Sequence, residues 1–126
     1  MRFTVFVLML VACLMTRSYA DDAPNSSAQI HFEQQIAPLF EEHCIRCHSP
    51  NNRKGKLSLE TIADLKEKSY VTPGDPNGSY LIDVVTSQAG EPAEMPKEGD
   101  ALSAEEIGLL KLWIEQGADW PENVLV

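Results

Sequence analysis

Basic residues and cysteines are both scarce in this chain, and each shortage limits its chemistry. Its 126 residues contain 10 Lys and Arg against 19 Asp and Glu, so the formal net charge is −9. Because nucleic acid phosphates attract the opposite sign, this composition excludes a nucleic-acid partner. There are three cysteines, and Cys13 lies in an apolar N-terminal run. The rest of the chain therefore holds a single pair, Cys44 and Cys47.

The chain also lacks an apolar run long enough to span a membrane. Residues 3–15 are apolar apart from one threonine, which is shorter than the ~20 residues that a spanning helix needs. Arg2 precedes this run, and the small-x-small sequence Ser18-Tyr19-Ala20 follows it. The pattern predicts a secretory signal peptide over residues 1–20. We therefore expect a periplasmic or secreted protein with no transmembrane anchor in its mature chain.

Two further expectations follow from this leader. Cleavage after Ala20 removes Arg2 and Arg17 and no acidic residue, so the formal net charge becomes −11. Such a surface favours partner proteins with a basic docking face. A lipobox-like sequence ending at Cys13 offers an alternative in which the protein is lipid-anchored. The very short leader before Cys13 and the apolar residues after it count against this alternative.

Apolar residues at helical spacing predict three to four helices, and no alternating pattern indicates a strand. The fold class is therefore predicted to be all-α, with a flexible arm over 21–27, one domain over 28–121 and a tail over 122–126. The predicted elements are a helix from about 28 to 43 bent near Pro38, helical turns within 60–68, a helix capped by Ser79 that runs to Val85, and a final helix from the capping box Ser103–Glu106 to Gly117. Loops are predicted over 49–56, 73–78 and 88–100.

The sequence Cys44-Ile45-Arg46-Cys47-His48 is the motif that carries chemistry. In C-x-x-C-H motifs the two thiols form thioether bonds to the vinyl groups of haem, and the histidine ligates the iron. The motif predicts one covalently bound haem c held by Cys44, Cys47 and His48. Export supports this interpretation, because c-type attachment is completed outside the cytoplasmic membrane in bacteria.

Other C-x-x-C chemistries make weaker predictions. A thioredoxin-like dithiol is expected near a βαβ pattern, and none is visible. A zinc site generally needs four ligands, and the motif together with His43 and the distant His31 offers enough of them for a crowded zinc site to be an alternative. A structural disulfide across two residues would be strained and leaves His48 without a role.

Met95 is the predicted sixth ligand of the iron. Three of the four methionines lie in the leader, so Met95 is the single methionine of the mature chain, 47 residues after His48. Methionine is a common second axial ligand in electron carriers. The alternative is that Met95 fills a gap in the core. His43 and His31 are the rival ligands, but His43 directly precedes Cys44 and His31 lies on the first helix.

Several side chains are candidates for the surroundings of the haem. Aromatic residues can wall the haem or bond its propionates, and basic residues can neutralise the propionates. The basic side chains also suit a solvated surface, which is the alternative role for each of them. The candidates are Tyr70, Tyr80 and Trp113 among the aromatic residues and Arg53, Lys54 and Lys56 among the basic ones.

The ordered set of motifs resembles the planctomycete-type cytochrome c domain of the class I cytochrome c superfamily. The pieces of this resemblance are residues 32–40 leading into the C-x-x-C-H motif, Gly55 to Leu59, Pro73 to Ile82, Met95-Pro96, and Leu102 to Pro121.

This resemblance implies a class I cytochrome c-like fold around one haem, with the first and last helices crossing beside it. It also implies His48/Met95 ligation and electron transfer without substrate turnover. Such domains often precede larger ones, and since this chain ends after the domain we expect a free-standing electron carrier and not an enzyme. A haem-based sensor of small ligands is the alternative. Lys97 replaces a proline usual in the family. The proline whose carbonyl orients the ligating histidine in many class I cytochromes has no counterpart at a comparable distance after His48.

Overall fold

The computed structural model of the chain describes residues 29–126. The predicted signal peptide, Cys13 and the 21–27 arm lie outside these residues. Within them no helix is both long enough and apolar enough to cross a membrane. In chain order the elements are a π-helical turn Phe32–Ile36, helix α1 Ala37–His43, strands β1 His48–Ser49 and β2 Asn52–Arg53, a 3-10 turn Lys54–Lys56, and helices α2 Ile62–Glu67, α3 Tyr80–Val85 and α4 Ala104–Glu115.

The predicted first helix divides in two just before Pro38. Its first part is the π-helical turn, and α1 then begins at Ala37 with Pro38 in its first turn. Proline has no N–H to donate, and only the first turn of a helix tolerates this loss without a broken hydrogen bond. Pro38 therefore fixes where the regular helix begins. α1 ends at His43, immediately before the C-x-x-C-H motif.

The predicted all-α class is wrong. Residues 49–56, predicted as a loop, contain part of a two-stranded antiparallel ladder in which His48 pairs with Arg53 and Ser49 with Asn52. The fold is thus a small mixed one, with four helices and this hairpin among the described residues. Two-residue strands joined through Pro50 and Asn51 are too short to show side-chain alternation. Backbone pairing produces them, and a sequence pattern cannot reveal it.

An aromatic cluster joins the two ends of the described chain. Phe32 stacks on Trp120 with ring centroids 4.0 Å apart, and both rings contact Phe40. Trp113 of α4 meets Phe40 edge to face at 6.0 Å. All four side chains are buried. Burial of this much aromatic surface packs α4 against the N-terminal helical turns, so α1 and the motif that follows it have a fixed base.

The two predicted helix caps have different outcomes. The capping box of α4 is confirmed, since Ser103 Oγ accepts from Glu106 N–H and Glu106 Oε2 accepts from Ser103 N–H. Gly117 follows α4 with φ +107°, as predicted for the residue after a helix. Ser79 precedes α3, but its side chain does not cap that helix. Its buried hydroxyl instead donates to Asp75 O and accepts from Thr72 N–H, which closes the preceding turn.

Candidate functional site

The C-x-x-C-H motif folds into one tight turn at the end of α1. Cys44 N–H donates to Phe40 O and continues the helical hydrogen bonding for one more residue. Cys47 N–H and His48 N–H then both donate to Cys44 O, at 3.0 and 2.9 Å. The backbone therefore reverses within four residues. Both cysteines and the histidine are brought to one place, partly buried.

His48 has a fixed backbone and an unpaired side chain. It lies in β1, where it pairs with Arg53, and its carbonyl accepts from Leu59 N–H at 2.7 Å. Its Nδ1 atom is buried and has no hydrogen-bond partner, the only such side-chain atom within residues 29–126. Because an unsatisfied buried polar group costs ~1–3 kcal/mol, native proteins rarely leave one without a reason. The described residues thus supply no hydrogen-bond partner that would orient the His48 side chain.

Met95 is held in place through its backbone. Its N–H donates to the carbonyl of Val84 in α3 at 2.7 Å. The Met95–Pro96 peptide bond is cis. The side chain is partly buried and packs against the hydrophobic core. α3 therefore positions the loop that carries the predicted sixth ligand.

One cavity of about 440 Å³ is lined by Cys44, Cys47, His48 and Met95 together. This volume is within the ~300–1,000 Å³ usual for cofactor and small-molecule sites. The structure brings all four predicted site residues to one cavity. Their binding of a haem stays a prediction. The apolar wall comes mainly from α2, α3 and the segments beside them, with Leu59, Leu65, Leu81, Val84, Val85 and Leu102 as its main side chains.

The state of the two thiols bears on the rival C-x-x-C chemistries. Cys44 and Cys47 are free, not joined as a disulfide. Burial, and secondarily the neighbouring Cys47, raises the pKa of the Cys44 thiol to about 12. Redox-active dithiols need a lowered thiol pKa, so this site does not suit thioredoxin-like chemistry.

The zinc alternative also lacks support. Across residues 29–126, a single group of three or more acidic, cysteine or histidine side chains has ligand atoms close enough to share an ion, and it consists of Glu42, His43 and Glu106. Neither cysteine of the motif nor His48 belongs to it. The C-x-x-C-H turn therefore does not assemble the tetrahedral ligand set that a structural zinc site requires.

Charged side chains surround the mouth of the cavity. Glu98 contacts two cations, Lys54 Nζ at 3.4 Å and Arg46 Nη2 at 3.8 Å. The pKa of Lys54 is raised above its ordinary value, mainly by the nearby Cys47 and next by Glu98. Lys54 thus lies beside the second cysteine of the motif. This ion-pair group connects the C-x-x-C-H turn to the loop that carries Met95.

The rival histidines have other surroundings. His43 Nε2 lies 3.2 Å from Glu106 Oε1, so this side chain has a protein partner even though it also lines the cavity. His31 is exposed and does not line the cavity. The structure therefore gives neither residue the buried, unpaired imidazole that His48 has.

The suggested surroundings of the site are partly correct. Tyr70 and Tyr80 line the cavity, with ring centroids 5.7 Å apart. Tyr80 is 48% exposed and so covers only the outer part of the cavity. Trp113 does not line the cavity, because it packs in the aromatic cluster and donates its Nε1–H to Asp119 O.

Sequence reasoning missed two contacts that organise the site. The first is the Val84 carbonyl that anchors Met95, for which a sequence offers no signal. The second is the position of Glu106, which bonds Ser103 and His43 at once and so joins the start of α4 to the end of α1. The capping box predicted the bond between Glu106 and Ser103. The bond to His43 could not be predicted, because His43 lies 63 residues away in the sequence.

Residues 44–99 match the family model of planctomycete cytochrome c. This segment is a planctomycete-type cytochrome c domain. The match begins at Cys44, includes Met95, and leaves out α1 and α4. It covers less than half of the chain, whereas the predicted resemblance extended from Phe32 to Pro121. No curated protein and no solved structure gives a significant match to the chain.

The residues of this cytochrome c domain fit a haem. Cytochrome c domains bind haem, and here a largely apolar cavity contains two neighbouring thiols that are free to form bonds. It also contains His48, whose buried Nδ1 has no protein partner, and a methionine thioether from a distant segment. Thiol, imidazole and thioether are the groups that attach and ligate haem in cytochromes.

Proposed function

We propose that this haem-binding cytochrome is an exported one-electron carrier with a single haem c. Cys44 and Cys47 would hold the haem through thioether bonds, and His48 and Met95 would ligate the iron. The observation that supports this proposal most is the shared cavity. Met95 follows the motif by 47 residues and is the only methionine among the described residues, yet it lines the same cavity.

The protein's own residues have distinct parts in this function. Bound haem supplies a one-electron couple whose potential depends on axial ligands, burial and nearby charge. The buried leucines and valines of the wall keep water away from the cavity and make its surroundings apolar. The hydrogen bond from Met95 N–H to Val84 O holds the methionine at the cavity, where its thioether would ligate a bound haem. Fixed ligands keep the reorganisation that accompanies electron transfer small.

Methionine ligation is tested by replacing Met95 with leucine, which removes the sulfur and keeps the volume. We expect Met95→Leu to lose the weak red absorption band of thioether-ligated ferric haem. We also expect it to lower the reduction potential by on the order of 0.1 V or more. The control is Leu102→Ala, which alters the same cavity wall without removing a ligand atom and should retain the band. An unchanged spectrum and potential in Met95→Leu would remove Met95 from the iron.

Attachment and export are tested on the purified protein. Mass spectrometry of the denatured chain should show one haem, which is lost from a Cys44→Ala/Cys47→Ala variant. An N-terminus at Asp21 would establish cleavage after Ala20. Carbon monoxide that binds readily to the native reduced protein would favour the sensor alternative, because a carrier with two fixed axial ligands offers no open position.

A further inference from the structure

The charge of this acidic protein is distributed unevenly along the chain. Residues 46–68 contain six basic and three acidic residues, although the whole chain has a net charge of −9. In the rest of the described chain, Lys97 and Lys111 are the only lysines or arginines. This basic segment includes the hairpin and begins within the C-x-x-C-H motif. The charge of this segment, on the C-terminal side of the motif, is therefore opposite to the charge of the protein, whereas Glu41 and Glu42 lie just before the motif.

Four of these basic side chains form one surface, which we call the basic face: Arg46, Lys54, Lys56 and Lys68. Arg46 and Lys54 line the cavity mouth and both contact Glu98. Lys54 and Lys56 are the two ends of the 3-10 turn, and Lys68 Nζ donates to Lys56 O at 2.6 Å. All four residues are exposed.

The basic face has more positive charge than its acidic neighbours neutralise. Within residues 29–126, Glu98 is the only acid that forms ion pairs with it, and neither Lys56 nor Lys68 has an ion pair. At physiological ionic strength charges are screened beyond about 8 Å, so a docking partner experiences mainly the charges close to it. Counted with Glu98, the four cations of the face have a net charge of +3, which exceeds the −2 of Glu42 and Asp100, the other acids that line the cavity.

The position of the basic face gives it a function. Lys54 N–H donates to the carbonyl of Cys47, so the face borders the residue proposed to attach the haem. An electron carrier must present the edge of its cofactor to its partner, and Cys47 is only partly buried. We propose, on the basis of the function proposed above, that the basic face docks an acidic surface of a redox partner protein. The net charge alone predicts a basic partner, so the two ideas make opposite predictions.

Binding of a fluorescent deca-aspartate peptide to the haem-loaded protein tests this proposal without any electron transfer. We expect Lys56→Gln to weaken binding about threefold, in line with a single exposed charge contact. Lys111→Gln, which removes the same charge from α4 outside the face, is the matched control and should change affinity much less. Glu98→Gln should tighten binding, because it removes the acid that partly neutralises the face. Equal effects of Lys56→Gln and Lys111→Gln would overturn the proposal.

Electron transfer to small oxidants of opposite charge gives a second readout. If the basic face borders the edge of the bound haem from which electrons leave, it attracts anionic hexacyanoferrate(III), and oxidation by this reagent should slow as salt is added. Oxidation by cationic tris(phenanthroline)cobalt(III) should not slow in the same way. The reverse pattern would show that the net negative charge dominates and would refute the docking proposal. A protein without a haem spectrum refutes the proposed function instead, so the two failures are distinguishable.

Discussion

Glu98 offers a direct test of how the Met95 loop is held at the cavity. Its carboxylate bonds Lys54 through Oε1 and Arg46 through Oε2, and so connects the loop of Met95 to the C-x-x-C-H turn. Replacing Glu98 with glutamine removes the negative charge and keeps the shape. Met95 would then be retained mainly by its hydrogen bond to Val84 O. We expect the thioether to leave the iron more often in this variant.

The geometry limits the size of this effect. The N–O distances are 3.4 and 3.8 Å, and the side chains are 54% exposed at Glu98, 55% at Lys54 and 76% at Arg46. Exposed ion pairs contribute little each, but here two cations share one carboxylate. We therefore expect external ligands to bind about two- to fivefold faster in Glu98→Gln. Because salt screens exposed charges, the difference should shrink as ionic strength rises.

The rate of imidazole binding to the ferric protein measures this effect, since imidazole can bind only after Met95 has left. Glu94→Gln is the matched control. Glu94 pairs with Lys97 of the same loop at 3.8 Å, so its loss removes one negative charge without breaking a link between segments. Equal acceleration in the two variants would mean that net charge matters and the bridging contact does not. No acceleration in Glu98→Gln would refute the reasoning.

Two further predictions concern α4 and are measured by thermal unfolding of the haem-loaded protein. Gly108→Ala should stabilise it by ~0.5–1 kcal/mol, because an added Cβ there has no atom of a packing neighbour within 4 Å. Gly117→Ala should destabilise it, because φ is +107° there, and effects of equal sign would contradict this reasoning. The pKa of Glu106 is lowered below its ordinary value of 4.5, chiefly by the backbone hydrogen bond from Ser103. Ionised Glu106 therefore stabilises the folded protein at pH values above 4.5, and this stabilisation is lost as the pH falls through the lowered pKa. Stability of Glu106→Gln should depend less on pH there, and an unchanged slope would contradict this assignment.

The local parts of this fold were predictable from the sequence because their signals are local. The Ser103–Glu106 capping box needs residues three apart, and the bend before Pro38 needs one missing N–H. α2 and α3 were predicted to within a few residues. The predicted cap at Ser79 is wrong because a serine hydroxyl has several possible partners, and here it bonds Asp75 O and Thr72 N–H and not the first turn of α3. Local composition alone could not decide between them.

The candidate site divides in the same way. The C-x-x-C-H motif identifies itself by spacing, and Met95 follows from counting methionines. The groups that bring them together, such as the Val84 carbonyl and the His43–Glu106 contact, depend on three-dimensional packing between distant segments. Trp113 was suggested for the cavity because it is large and aromatic. The same properties favour packing against other aromatic rings, and Trp113 is buried against Phe32 and Phe40 in the aromatic cluster.

The hairpin, which the sequence did not reveal, fixes the positions of the cations on which the proposed docking of an acidic partner depends. As a loop, residues 49–56 would leave Arg53 and Lys54 free to point anywhere. As a ladder, they pair Arg53 with His48 and join Lys54 N–H to Cys47 O, so the cations have fixed positions beside the motif. The net charge of a protein is a sum that contains no positions. The charges close to a small docking site determine which partner it attracts, because salt screens the charges that lie farther away.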